Sequence, residues 1–168
     1  FTLLEQKGNP GWLYSVINGA TTIWERWNSY IAETGTFGDV SMNSFNHYAY
    51  GSIGQWLYRT VLGIQTGENI DEAGYHKIFL TPSWGGTLTY AKGEQETPFG
   101  KIASSWEKKE NSIVYRCTIP ANTTAHLSLP ANGHNSVQIL EGAAIADAAI
   151  SSVADFELVS GRYAFQIK

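Results

Sequence analysis

A carboxylate set between indoles is the first feature of this sequence that points to chemistry. Glu25 lies in the run Thr22-Ile23-Trp24-Glu25-Arg26-Trp27, and a carboxylate beside aromatic walls suits proton transfer next to a flat, hydroxylated substrate. The same residues fit a capping box, in which Glu25 reaches back to the backbone amide of Thr22 at a helix start. Both readings stand on the residues alone. Arg26 next door serves equally as a partner for the carboxylate or as a structural charge. His47, in Ser44-Phe45-Asn46-His47-Tyr48, sits where a helix is expected to begin, with Ser44 or Asn46 as N-cap. It is either a capping or surface residue, or an imidazole that hydrogen-bonds a substrate hydroxyl or a neighbouring carboxylate.

Other chemistries find no support. His76, His126 and His134 have no cysteine or carboxylate at ligand spacing, so no zinc site is expected, and no other cofactor is called for. Cys117 is the only cysteine, which excludes an internal disulfide. The chain carries no G-x-S-x-G elbow, no phosphate-binding glycine loop and no Ser/His/Asp order that would nominate a nucleophile. Carboxylate chemistry between aromatic walls remains, and sugar hydrolysis is the reaction class that uses both. Such reactions need two carboxyl groups flanking the scissile bond, and Glu25 is the single good candidate.

Composition agrees. A net charge of -4 with 11 Lys+Arg argues against a nucleic-acid partner, which would demand a clustered positive field. No apolar run approaches the roughly 18 residues of a membrane span, and no basic-then-apolar leader opens the chain. Six Trp, nine Tyr and seven Phe in 168 residues supply rings either for stacking on sugars or for a core. The chain begins at Phe1 and has its sole methionine at Met42, so it is expected to be a piece of a longer polypeptide.

These residues need elements to position them, and the apolar pattern changes along the chain. To about residue 67 it recurs at helical spacing; from about residue 76 it alternates. Pro10-Gly11 breaks a short first segment, and Trp12 to Ile17 reads as a helical or extended approach ending at Asn18-Gly19. Ile23, Trp27, Tyr30 and Ile31 form one stripe of a second helix. Ala49, Ile53, Trp56, Tyr58, Val61 and Leu62 form a third, stopped by Thr66-Gly67, with Gly51 and Gly54 expected to admit a neighbouring helix. Between the two runs Glu33 to Phe45, a long link that serves a site or merely a surface excursion. The polar stretch Gln65 to Gly74 joins the halves.

Strands follow. Ile113, Tyr115, Cys117 and Ile119 alternate with wetter neighbours, as do Ala125, Leu127 and Leu129, and then Tyr163, Phe165 and Ile167. Ser160-Gly161 has the form of a hairpin turn between Phe156–Val159 and Arg162–Ile167, while Pro120, Pro130, Asn132-Gly133 and Glu141-Gly142 mark other corners. The pattern predicts a small antiparallel sandwich.

Two extended motifs carry a resemblance. The string Asn18-Gly-Ala-Thr-Thr-Ile-Trp-Glu-Arg-Trp-Asn28, then Ser44-Phe-Asn-His-Tyr-Ala-Tyr-Gly-Ser52 and Gln55-Trp-Leu-Tyr58, resembles the C-terminal end of bacterial α-L-rhamnosidases of glycoside hydrolase family 78. Gly74-Tyr-His-Lys-Ile78, Leu88-Thr-Tyr90 and Thr97-Pro-Phe-Gly100 resemble it too. The resemblance implies that residues 1–67 are the last helices of an (α/α)6 catalytic barrel, 68–74 a linker and 75–168 the family's C-terminal β-sandwich. It also implies an inverting, metal-free hydrolysis of terminal α-L-rhamnose from oligosaccharides or glycosides. In that scheme Glu25 is the general base and His47 a contact to the rhamnose, with Trp24, Trp27 and the Phe37–Phe45 loop near the rim.

The family's general acid lies upstream of the segment in hand, so the chain alone is expected to be inactive and to need the upstream portion of the same enzyme. Apolar faces such as Trp12/Tyr14 and Ile53/Trp56 would then lack their neighbours and favour self-association. Breakdown of plant polysaccharide implies a bacterial periplasm or the exterior. The rival reading is a noncatalytic carbohydrate-binding or structural sandwich, with sugar near Trp84 or Trp106.

Overall fold

Residues 1–130, 136–142 and 153–168 are described by the computed structural model. The expected corner at Asn132-Gly133, and His134, lie outside the described residues. Contacts divide the chain into two units, Phe1–Gln55 with Gly85–Thr87, and Trp56–Trp84 with Leu88–Lys168.

The first unit opens with helices α1 (Thr2–Glu5) and α2 (Trp12–Ile17). Asn18 stops α2: its side-chain Nδ2 donates to the Tyr14 carbonyl at 2.8 Å, and Gly19 turns away at φ +84. The expected second helix is absent. Residues 20–29 form no regular element, and Tyr30–Ile31 (β1) pairs with Thr36–Phe37 (β2) as a short hairpin turned at Gly35, φ +68. Long-range partners override the helical periodicity. The buried Tyr14 hydroxyl donates to the Tyr30 carbonyl at 2.9 Å and accepts from the Ala32 amide at 3.0 Å, which holds β1 extended. Glu25 N–H and the Ile23 carbonyl are likewise satisfied from the segment around Ser44 and His47, not within a helix.

The third helical stretch is present over the expected residues, with an uneven pitch. Ala49–Ser52 is 3-10, Ile53–Trp56 is α (α3), and Leu57–Val61 is π. It stops earlier than Thr66-Gly67. Gly63 breaks it at φ +74, where an added Cβ would stand 2.2 Å from the Pro82 nitrogen, and Ile64–Thr66 is already a strand (β3). Among the described residues no neighbouring helix occupies the glycines: a Cβ on Gly51 meets Ile23 at 3.9 Å, and one on Gly54 meets nothing within 4 Å.

In the second unit β3 joins β4 (Lys77–Leu80), β8 (Thr124–Pro130) and β10 (Val153–Leu158) in a four-stranded sheet ordered β10-β8-β4-β3. The second sheet has the order β5-β6-β7-β11-β9, with β5 Tyr90–Thr97, β6 Gly100–Lys109, β7 Ser112–Ile119, β9 Val137–Glu141 and β11 Gly161–Ile167. Among the described residues the pairings of these sheets are antiparallel except β4 with β8, which is parallel.

The alternating residues face inward as their period requires. Tyr115, Leu127, Leu129, Phe165 and Ile167 are buried, and Phe156 of one sheet meets Phe165 of the other at 5.0 Å between ring centroids. The predicted β-sandwich is therefore present. Ser160-Gly161 is not a hairpin turn, however, because β10 pairs with β8 while β11 pairs with β7 and β9. The chain changes sheet at this corner, where the Tyr163 hydroxyl donates to the Val159 carbonyl at 3.0 Å.

Sheet side chains also reach the end of the helical stretch: Trp106 Nε1 donates to the Val61 carbonyl at 2.8 Å and Ser104 Oγ to that of Leu62 at 2.6 Å. Carbonyls that a helix end leaves without partners are thus satisfied by β6.

Candidate active site

The Glu25 and His47 motifs, about twenty residues apart, run side by side in the first unit. Thr22 Oγ1 donates to the Phe45 carbonyl, the His47 amide to the Ile23 carbonyl at 2.8 Å, and the Glu25 amide to the Ser44 carbonyl at 2.9 Å. The Ser44 amide in turn donates to Glu25 Oε2 at 2.7 Å. The capping box is therefore not formed: the carboxylate engages an amide nineteen positions ahead instead of that of Thr22. One carboxylate oxygen is tethered in this way, and the half-buried Glu25 keeps Oε1 for a further partner.

His47 is half-buried as well. Its Nδ1 accepts the Ala49 amide at 3.3 Å at the start of the helical stretch, a capping task expected of Ser44 or Asn46. Ser44 Oγ instead accepts from the Asn46 amide at 3.1 Å. An accepting Nδ1 carries no hydrogen, so the hydrogen of the neutral ring is on Nε2, which becomes a donor. The ring stacks on Tyr48, centroids 5.3 Å apart.

Aromatic residues frame the two motifs. Trp24, Phe45 and Phe37 meet in sequence at 5.3 and 5.5 Å, and Phe37 lies 6.0 Å from Tyr30. A second group, Trp27 stacked on Tyr50 at 4.2 Å and edge-on to Trp12 at 4.7 Å, lines a shallow recess together with Trp24, Ile23, Ser15 and Arg26. Trp27 thus sits in a packed cluster, and Trp24 is buried. The expected bare Trp12/Tyr14 face does not exist, because Tyr14 is 4% exposed and Trp12 packs on Trp27. Val16, Ile17, Phe37, Val40, Met42 and Tyr48 are the more exposed apolar and aromatic side chains of this unit.

The link from Glu33 to Phe45 is built, not merely tolerated. Asp39 Oδ1 accepts both the amide and the hydroxyl of Ser41, at 2.9 and 2.7 Å, and these bonds hold its carboxyl below the usual aspartate range. Ser29 and Asn43, which sequence reasoning passed over, pin this link together with Gly38. Their only sequence signal was the glycine and the small polar residues in an overlong connection.

The other candidates do not converge here. Trp84 and Trp106 are buried, 6% and 1% exposed, so neither presents a face on which a sugar could stack. Cys117 is enclosed in the sandwich, and burial pushes its thiol up to about 12, which leaves it no nucleophilic role. His126 pairs with Glu157 at 2.7 Å on the outer face of the four-stranded sheet, and among the described residues no three His, Cys, Asp or Glu side chains gather as a metal would require.

Comparison with known proteins decides the lineage. Residues 1–61 match the family model for the bacterial alpha-L-rhamnosidase 6 hairpin glycosidase domain, and residues 63–144 match that for the bacterial alpha-L-rhamnosidase C-terminal domain. The chain belongs to the bacterial α-L-rhamnosidase family.

An alpha-L-rhamnosidase of Streptomyces avermitilis is 38% identical over 99% of this chain, and one of Formosa agariphila is 42% identical over 83% of it. The chain spans only 16% and 14% of those relatives' lengths. Among solved structures, the Streptomyces avermitilis enzyme complexed with L-rhamnose superposes with a TM-score of 0.84 over 99% of this chain and 16% of its own, at 38% identity. The enzyme from Dictyoglumus thermophilum gives 0.79 over 98% and 18%, at 31% identity. The family-model boundary, between residues 61 and 63, falls where Gly63 turns the helical stretch into β3.

Proposed function

We propose that the intact protein is an inverting α-L-rhamnosidase acting on terminal α-L-rhamnose of glycosides, and that this chain provides its general base, Glu25, and one contact to the sugar, His47. The residues up to the end of the helical stretch at Leu62 then close the catalytic barrel, and β3 together with residues 75–168 forms the C-terminal sandwich. The observation that carries the reading is the tether on Glu25: Ser44 holds Oε2 at 2.7 Å and the Glu25 amide at 2.9 Å, which orients the carboxylate and leaves Oε1 for a water molecule.

In the reaction, Oε1 takes a proton as the water oxygen bonds to the anomeric carbon, and the glycosidic bond breaks on the opposite face. A general acid from the upstream portion protonates the departing oxygen. An inverting site separates its two carboxyl groups by about 6.5–9.5 Å to admit that water. His47 Nε2–H supports the arrangement as a donor to a rhamnose hydroxyl, on a backbone hydrogen-bonded to the Glu25 segment.

The test is kinetic and stereochemical. Glu25→Gln in the intact enzyme should lower kcat on an aryl α-L-rhamnoside by about three orders of magnitude or more, within the range for lost acid–base groups, with circular dichroism unchanged. Proton NMR of the wild-type reaction should show β-L-rhamnose as the first product. An undiminished rate in Glu25→Gln, or α-L-rhamnose appearing first, overturns the proposal.

A further inference from the structure

We propose that Asn43 is a positioning residue for Glu25, acting through a two-point anchor on the buried Ser29 carbonyl; the inference rests on the base role proposed above. Ser29 has no exposed surface. Its carbonyl oxygen accepts from the Gly38 amide at 2.9 Å and from Asn43 Nδ2 at 2.9 Å, so both ends of the loop from Gly38 to Asn43 converge on one atom.

The same serine is tied to the residue after Glu25: its Oγ accepts the Arg26 amide at 3.2 Å and its own amide donates to the Arg26 carbonyl at 3.3 Å. Gly38 permits the approach, since a Cβ there would stand 2.7 Å from the Asn28 carbonyl oxygen. Asn43 is followed directly by Ser44, whose amide and carbonyl clamp Glu25 at 2.7 and 2.9 Å. One peptide step therefore separates the anchor from the clamp, and the far side of the anchor returns to Arg26. Glu25 is held from both directions.

The chemistry of the amide sharpens the assignment. Asn43 Nδ2 is used, while Oδ1 is buried with no hydrogen-bond partner among the described residues. A buried unmatched acceptor is unfavourable, and filling space alone would not call for an amide at this position. What asparagine contributes here is the donor to Ser29. Displacing a catalytic group by about 1 Å costs on the order of 100-fold in rate, so loss of the anchor should be read in turnover more than in binding.

Steady-state kinetics on p-nitrophenyl α-L-rhamnoside, with the intact enzyme, test this. Asn43→Ala should lower kcat about 10- to 100-fold while KM changes by less than about threefold. If that variant fails to fold by thermal melting, Asn43→Asp is used, which keeps the shape and replaces the donor by an acceptor facing the Ser29 carbonyl; the same split is expected. Glu25→Gln is measured in parallel. A Glu25→Gln enzyme that keeps its rate overturns the base role on which the anchor depends. A Glu25→Gln enzyme that is inactive while a folded Asn43 variant keeps kcat within twofold, or changes KM alone, overturns the anchor and leaves the base role standing.

Discussion

Glu25 Oε2 and Oε1 have different surroundings: a backbone amide holds the first at 2.7 Å, and the second is left for the reacting water in the proposed mechanism. An amide donor is a strict tether because its direction follows the backbone of Ser44, whereas a side-chain donor would keep its own rotamers. The opposite extreme is Cys117. Its thiol is 3% exposed, and burial raises it to about 12, beside a Tyr115 hydroxyl pushed up for the same reason. Iodoacetamide at pH 8 should therefore alkylate the native chain at least about 100-fold more slowly than the urea-unfolded chain, a ratio that mass spectrometry reads directly. A raised acid pKa also fixes a sign. The native state keeps the proton that the unfolded thiol releases near 9.0, so this contribution to stability is complete below pH 9 and is lost progressively as pH rises toward about 12. Rapid native alkylation at pH 8 would contradict the burial of β7.

At the scale of elements, backbone demands decide more than periodicity does. Gly63 combines φ +74 with an approach of 2.2 Å between an added Cβ and the Pro82 nitrogen. Gly63→Ala should destabilise the second unit by about 2 kcal/mol or more, lowering the melting temperature by about 4–8 °C; an unchanged melting curve would show that the turn relaxes freely. The strands of the sandwich were legible because alternation is a local property: Tyr115, Leu127 and Phe165 announce a buried face within a few residues of themselves. The helical stretch from Ala49 was legible for the same reason. The stripe at Ile23, Trp27, Tyr30 and Ile31 misled because Tyr14, sixteen positions before Tyr30, takes the β1 backbone into hydrogen bonds that no window of sequence displays. The sheet change at Ser160-Gly161 was hidden too, since turn composition does not say whether the flanking strands share a sheet. In the candidate site the two motifs could be named from residue strings, but the Ser44 tether could not, because it depends on the pairing of two segments nineteen residues apart.

For the whole molecule, completeness is the governing quantity. The chain spans 14–16% of its curated relatives, and the proposed mechanism uses an acid that it does not contain. The isolated 168-residue chain should show no rhamnoside hydrolysis above background at any pH from about 4 to 9. Its exposed Val16, Ile17, Val40 and Met42 should also make its sedimentation coefficient rise with concentration. A monomeric, active fragment would contradict both expectations. The hydrogen bonds from Trp106 and Ser104 to the Val61 and Leu62 carbonyls bear on how such enzymes can be recombined. A chimera joined in the polar 68–74 stretch, the obvious seam, would pair one parent's helix terminus with another parent's β6 and trust the foreign indole and hydroxyl to find those oxygens. A crossover upstream of residue 56 keeps donor and acceptor from a single ancestor, so the transferable cassette begins inside the helix, before the visible junction.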